Sequence, residues 1–123
     1  MANECTPLFT PGKDVTALTT GAVTGKTFVG ISAAPDTYGQ LKVATATAAT
    51  RAFGVAARDA ASGARVLVKK GGILPVTAGG TIAVGAQVEV GSNGKAVTLA
   101  SGIAVGTAVS AGTNNADVFV DLY

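Results

Sequence analysis

The residues from Phe53 to Val68, FGVAARDAASGARVLV, form a short apolar segment, a polar loop and a second segment with alternating apolar residues. This order predicts a β-hairpin or two adjacent strands. The stretch aligns without gaps with Val105 to Val120, VGTAVSAGTNNADVFV. Five positions are identical: Gly54 and Gly106, Ala56 and Ala108, Ala64 and Ala116, Val66 and Val118, and Val68 and Val120. The alignment indicates one structural unit used twice, the alternative being chance similarity between hairpins rich in Val, Ala and Gly.

Similar patterns occur along the rest of the chain. A looser third copy begins at Val29 and leads through PDTYGQ into Leu41-Lys42-Val43. Alternation is clearest from Thr81 to Val90, where Gln87 and Glu89 are expected to lie opposite the apolar residues. The run from Ala44 to Ala52 is interpreted as strand or loop rather than helix, because Thr favours strands. About eight short strands separated by turns predict an all-β fold, a small β-sandwich or barrel spanning residues 15–123.

An extended N-terminal arm is predicted for residues 1–14. Proline fixes φ and donates no hydrogen bond to a sheet, so two prolines discourage a central strand here. The arm is either a tail or edge segment, or a docking element that adds a strand to a partner. The candidate contact residues are Pro7, Leu8, Phe9, Thr10 and Pro11.

Composition restricts the class of protein. The chain has 123 residues and is 48% hydrophobic, but only 5% are aromatic, so a core built mainly of Val and Ala is thin and oligomerisation is expected. A net charge of +2 with 13% charged residues argues against a nucleic-acid partner. The apolar runs are too short for a membrane-spanning helix, and the N-terminus does not resemble a signal peptide. The single cysteine, Cys5, excludes an intrachain disulfide.

Catalytic chemistry has little support in the sequence. Histidine is absent, and the seven acidic residues show no acid–base or metal-ligand spacing. The segment from Gly21 to Thr27, GAVTGKT, has three residues before Gly-Lys-Thr where a phosphate-binding loop has four, so it is interpreted as a turn between strands. We therefore expect no enzyme, no catalytic residues, no metal and no cofactor.

The aligned units predict a subunit interface. Charges of opposite sign flank an apolar residue at matching positions of the two strands, so the two faces are expected to meet as sheet neighbours in one chain or head-to-tail around a ring. These candidates are Arg65, Leu67 and Lys69 on one strand and Asp117, Phe119 and Asp121 on the other.

The order FGVAARDAASGARVLVKKGGILPVTAGGTIAVGAQVEV, followed by GKAVTLASGIAVGTAVSAGTNNADVFVDL, resembles the capsid decoration or cement proteins of tailed bacteriophages. The resemblance covers roughly Val15 to Leu122. It implies a β-rich, commonly trimeric protein, made in the host cytoplasm, that binds the major capsid protein on the outer surface of the head and stabilises the head against internal DNA pressure. The arm residues would then contact the capsid.

A different class remains as the alternative. A β-sandwich module that binds carbohydrate or a host surface would use aromatic platforms, for which the chain offers only Tyr38, Tyr123 and four phenylalanines.

Overall fold

The computed structural model describes residue 3 and residues 13–123, which form ten β-strands and one short 3₁₀ turn. The first five strands make a closed barrel in the order β1-β3-β2-β4-β5, with β5 pairing back onto β1. We call this unit the N-terminal barrel. Its strands are β1 (Asp14–Thr19), β2 (Phe28–Ala33), β3 (Lys42–Thr45), β4 (Gly54–Ala56) and β5 (Arg65–Lys69).

The last five strands make a second sheet in the order β6-β10-β9-β7-β8. We call this unit the C-terminal sheet. A parallel bridge between Ala78 and Ala96 joins the end of β6 to β8, although the sheet is otherwise open there. Its strands are β6 (Ile73–Thr77), β7 (Gln87–Val90), β8 (Ala96–Thr98), β9 (Gly106–Ala108) and β10 (Asp117–Leu122), and the 3₁₀ turn is Ser92–Gly94.

The two units share one topology, which confirms the predicted repeat. Strands β4 and β5 occupy the same places in the first unit as β9 and β10 occupy in the second. Equivalent hydrogen bonds follow them: the Ala57 amide donates to the Leu67 carbonyl, and the Val109 amide donates to the Phe119 carbonyl, each at 2.9 Å. The segment from Val29 to Val43 lies in β2 and β3, which pair antiparallel, so the predicted strand, turn and strand are present. This hairpin corresponds to β7 and β8 rather than to β4 and β5, so it is not a further copy of the repeated unit.

Each unit has its own apolar core, and one wall serves both cores. On β2, Phe28 packs with residues of the C-terminal sheet, whereas its neighbour Val29 packs inside the barrel. On β4, Val55 likewise packs with the C-terminal sheet, and Ala56 packs inside the barrel. Successive residues of a strand point to opposite faces, so these two strands are buried on both sides. The shared wall fixes how the two units pack.

The all-β prediction is confirmed, but several strand boundaries differ from those expected. The predicted strand from Thr81 to Val90 is interrupted, because the chain turns at Gly85 with a φ of 84°. Only Gln87–Val90 is a strand, and Val84 is 66% exposed instead of lying on the apolar face. Strand β3 ends at Thr45, so most of the segment that follows it, up to residue 52, is loop and turn.

Glu89 is buried, contrary to its predicted position on a polar face. The side chain is 7% exposed, and its Oε2 accepts a 2.6 Å hydrogen bond from the Gly102 amide. A Cβ at residue 102 would meet both this carboxylate and Ala49. The loop after β8 therefore packs over Glu89 and supplies the donor that a buried carboxylate needs.

The predicted arm lies largely outside the described residues, since only residues 3, 13 and 14 of it are described and Asp14 already belongs to β1. Its candidate contact residues, Pro7, Leu8, Phe9, Thr10 and Pro11, all fall outside them. Among the described residues, no helix has the length and apolar character needed to cross a lipid bilayer.

The equivalent glycines of β4 and β9 provide a test of the repeat. A Cβ at Gly54 would lie 2.6 Å from the Lys69 carbonyl oxygen, and one at Gly106 would lie 2.7 Å from that of Asp121. Backbone atoms of a paired strand cannot move aside cheaply, so Gly54→Ala and Gly106→Ala should each lower the free energy of unfolding by about 1 to 3 kcal/mol. Urea denaturation measures the loss.

Gly21→Ala and Gly80→Ala are the matched controls for this test. At both positions an added Cβ meets nothing within 4 Å, and neither φ is positive. Their unfolding free energies should stay within about 0.5 kcal/mol of the parent value. Equal losses in all four variants would show that close strand approach is not the cause.

Candidate interaction surfaces

The described surface has several open clefts, two of them with volumes of about 340 Å³. Within residues 13–123, no group of three or more Cys, Asp and Glu side chains is placed to hold a metal ion.

The Gly-Lys-Thr segment is a turn, as its shortened spacing predicts. Lys26 has a φ of 61°, and the chain continues directly into β2. The Gly25 amide donates to Asp59 Oδ1 at 2.8 Å, and the Lys26 amide donates to the Ala56 carbonyl at 2.9 Å. These amides are occupied within the fold, whereas a phosphate-binding loop directs its amides to the ligand.

The predicted interface residues lie on the outer faces of the two units. On β5 and β10 the alternate residues, Val66, Val68, Val118 and Val120, fill the cores, so the intervening side chains point outward. On β10 all three outward residues are exposed, and Phe119 is 47% exposed. On β5 the residue at position 65 is exposed, and those at positions 67 and 69 are half-buried.

The two predicted faces do not pair with each other inside the chain. Strand β5 pairs with β1 and β4, while β10 pairs with β6 and β9. The prediction that the two faces meet as sheet neighbours in one chain is therefore wrong, because the two strands belong to different units. The head-to-tail arrangement between chains stays a prediction.

Most of the predicted charges have partners within the chain. Lys26 Nζ lies 3.0 Å and 3.1 Å from the two carboxylate oxygens of Asp117, which joins the N-terminal barrel to β10. Lys69 Nζ lies 3.7 Å from Asp14 Oδ1. Arg65 donates only to the neutral Gln40 side chain, at 3.3 Å, and Asp121 makes no ion pair among the described residues. Arg65 and Asp121 thus remain available for an opposite charge.

An apolar strip runs across the outer face of the C-terminal sheet beside these charges. Phe119 lies opposite Pro75 on β6, and the Val109 amide bonds to its carbonyl on the other side. Ile73, at the start of β6, pairs with Asp121. We call Ile73, Pro75, Val109 and Phe119 the apolar strip; Ile73, Val109 and Phe119 are exposed and Pro75 is half-buried. In the barrel the residues equivalent to the middle of the strip are Thr16, Ala57 and Leu67, which offer less apolar surface.

A hydrogen-bonded group of three polar side chains lies on the same face, where Thr107 and Gln87 continue the cross-strand row of Ile73 and Asp121. The Tyr123 hydroxyl lies 2.6 Å from Thr107 Oγ1 and accepts a bond from Gln87 Nε2 at 2.9 Å. Both bonds stabilise the phenolate and lower the pKa of Tyr123 from its usual value, with Thr107 the larger cause. Partial desolvation and the nearby Asp121 carboxylate oppose this shift.

Sequence reasoning found Phe119 but missed the rest of the apolar strip. Ile73 and Val109 join it only through the pairing of β6 and β9 with β10, which no sequence signal specified. Pro75 lies on β6, which ends the strand order, and its cross-strand neighbour depends on the same pairing.

Comparison with solved structures shows that this fold occurs in another protein. The structure is similar to that of the head fiber gp8.5 N base in bacteriophage phi29, with a TM-score of 0.76 and 24% sequence identity over 89% of this chain and 92% of that one. This likeness concerns the fold. No curated protein matches the sequence closely enough to be counted as a relative.

A family model establishes the particular family. The model described as phage cement protein matches residues 9–122, which is nearly the whole chain. The chain therefore belongs to the phage cement protein family and is a structural protein of a phage head. The resemblance noted in the sequence is confirmed.

The lowered pKa of Tyr123 can be measured directly. In a Tyr38→Phe background, Tyr123 is the only tyrosine, so the pH dependence of tyrosinate absorbance reports its pKa. Thr107→Val removes the stronger bond to the phenolate, so the pKa should rise toward the ordinary tyrosine value of about 10. Thr98→Val, which removes a hydroxyl bonded to the Thr81 carbonyl, should leave it unchanged. A pKa that does not move in Thr107→Val would show that this bond is not the cause.

Proposed function

We propose that this protein binds the outer surface of the phage head as a trimer and stabilises the head against the pressure of packaged DNA. The match of the phage cement protein family to residues 9–122 is the observation that carries the proposal. The partner is the major capsid protein, and the role is structural rather than enzymatic. The exposed apolar strip and its neighbouring charges supply surface of the kind that protein partners bury.

The trimer is proposed to form head-to-tail through the outer faces of β5 and β10. Such a heterologous contact closes a ring when its rotation matches the number of subunits. Phe119 would be buried against Leu67 of the next subunit, which removes an exposed aromatic ring from water. Arg65 and Asp121, which make no ion pair with any other described residue, would meet across the contact. Lys69 and Asp117 would keep their ion pairs within the chain and would also add to the electrostatic attraction between the two faces.

A charge swap tests this interface. Asp121→Lys places like charges opposite each other, so the trimer should dissociate at concentrations where the parent protein is assembled. Adding Arg65→Glu restores an opposite pair and should restore the trimer, with an affinity within roughly tenfold of the parent, since an exposed pair contributes about 0.2 to 1 kcal/mol. Sedimentation equilibrium gives the oligomeric state of each variant.

Lys42→Glu is the control for altered net charge, because Lys42 lies on β3 and makes no ion pair among the described residues. It should leave assembly unchanged. A parent protein that is monomeric, or a double variant that fails to recover while remaining folded, would overturn the interface.

Attachment to the head is proposed to use the N-terminal arm, whose contact residues lie outside the described part of the chain. Burial of Leu8 and Phe9 would contribute about 1.5 to 3 kcal/mol each. Fixing the backbone costs about 1 to 2 kcal/mol per residue, so one arm gains little by burial alone. Backbone pairing with the capsid and the joint action of three arms in one trimer would supply the difference.

Binding to heads that lack decoration protein tests both the function and the arm. The parent protein should co-sediment with such heads and raise the temperature at which they release DNA. The double variant Leu8→Ser, Phe9→Ser should keep its fold but lose most of this binding. Tyr38→Ser removes an exposed aromatic residue elsewhere and should bind like the parent. Absence of parental binding would refute the function, whereas undiminished binding of the double variant would refute only the arm.

A further inference from the structure

The basic side chains of this protein divide into two groups by their partners. The sequence has nine Lys and Arg residues, all within residues 13–123. Lys26 and Lys69 form ion pairs, and three more donate side-chain hydrogen bonds, namely Arg58, Arg65 and Lys95. Among the described residues, the other four make neither kind of contact; they are Lys13, Lys42, Arg51 and Lys70.

Three of these four line one cleft. Lys13 precedes β1, Arg51 precedes β4 and Lys70 follows β5, and all three border a cleft of about 340 Å³. The Lys70 amide donates to the Lys13 carbonyl at 2.8 Å, which holds two of the three segments together. Of the residues that the structure describes, no Asp or Glu lines the cleft; its remaining described walls are Ala52, Phe53, Gly71 and Tyr123. We call this feature the basic cleft.

The basic cleft is partly organised before any ligand binds. Lys70 Nζ lies over the Phe53 ring, 4.5 Å from its centroid, a cation–π contact that restricts the ammonium group. Three like charges around one concave surface repel one another, and a bound anion would relieve that repulsion. A concave shape with converging charges of one sign also concentrates ligands of opposite charge.

The surroundings of the basic cleft limit the length of an anionic ligand. Asp14 follows Lys13 directly, and the Asp121 carboxylate is close enough to Tyr123 to act on the pKa of that side chain. A long polymer with uniform negative charge, such as a nucleic acid or sulfated glycan, would meet these carboxylates as it left the cleft. A short cluster of carboxylates on a protein segment would not.

We propose that the basic cleft binds a short acidic segment of a partner protein, whose Asp or Glu side chains pair with Lys13, Arg51 and Lys70. Arginine gives such a site a planar two-donor contact for one carboxylate, and the lysines act as adjacent point charges. The proposal concerns the isolated chain and does not depend on trimer formation or on attachment to heads.

Binding of a fluorescent peptide of six consecutive glutamates tests the proposal by anisotropy. The parent protein should bind it with an affinity that falls as salt is added, because exposed charges are screened. The triple variant Lys13→Gln, Arg51→Gln, Lys70→Gln should weaken binding by about tenfold or more, from the loss of three charge pairs. Lys42→Gln, which removes an equally unpartnered lysine outside the cleft, should bind within about twofold of the parent. Thermal unfolding of each variant checks that the fold is kept.

Competition experiments distinguish the acidic segment from other anions. Inorganic phosphate, heparin and duplex DNA, each added at matched charge concentration, should displace the peptide less effectively than an unlabelled copy of it. Stronger displacement by any of these three would overturn the assignment to a protein segment. Absence of peptide binding, or equal losses in Lys42→Gln and in the triple variant, would refute the cleft as a site.

Discussion

Burial of Phe28 between the two units is the interaction on which the rest of the structure depends. It is the largest wholly buried side chain in the described part of the protein, and it packs in the core of the C-terminal sheet although it belongs to the N-terminal barrel. Loss of a buried Phe side chain typically costs about 3 to 5 kcal/mol, a large share of the 5 to 15 kcal/mol that stabilises a domain. Gly94 permits the close fit, because a Cβ there would lie 2.7 Å from the Phe28 carbonyl oxygen. Two cores of Val and Ala, each thin alone, are thus packed against the two sides of one shared wall.

The sequence contained enough information to predict the strands whose two faces differ. On β5 and β10 an inner Val alternates with an outer polar or exposed residue, and both segments form the strands that this alternation predicts. Strand β4 was also predicted, as the short apolar segment that begins at Phe53, but the burial of both its faces was not. One face of β4 lines the barrel and the other faces the second unit. Between Thr81 and Val90 the alternation survives across a glycine turn, so period alone could not separate Ile82 from the strand after it.

The candidate surfaces, like the strands, could be predicted from the sequence only in part. Side-chain direction follows from strand period, so the outward position of Arg65 and Phe119 was predictable. Ionic partners depend on topology: Lys26 and Asp117 are 91 residues apart in the chain, and only the packing of the two units brings them together. The basic cleft needs three loops that adjoin the barrel, and nothing in the spacing of Lys13, Arg51 and Lys70 indicates that they converge. Local periodicity therefore predicts which residues are exposed, but not which exposed residues form a site.

The two copies of the repeated unit differ at positions whose side chains lie outside the core. The inner residues of β5 and β10 are the same valines, whereas the outer residues carry opposite charge. Ion pairs within the chain neutralise Lys69 and Asp117, which leaves Arg65 on one unit and Asp121 on the other. A twofold contact of the apolar strip with itself would bring two Asp121 carboxylates together beside the Phe119 rings, and like charges at such a contact oppose it. A contact between unlike units would pair the remaining charges instead and use each face once per subunit, and such a head-to-tail contact closes into a ring when its rotation matches the number of subunits.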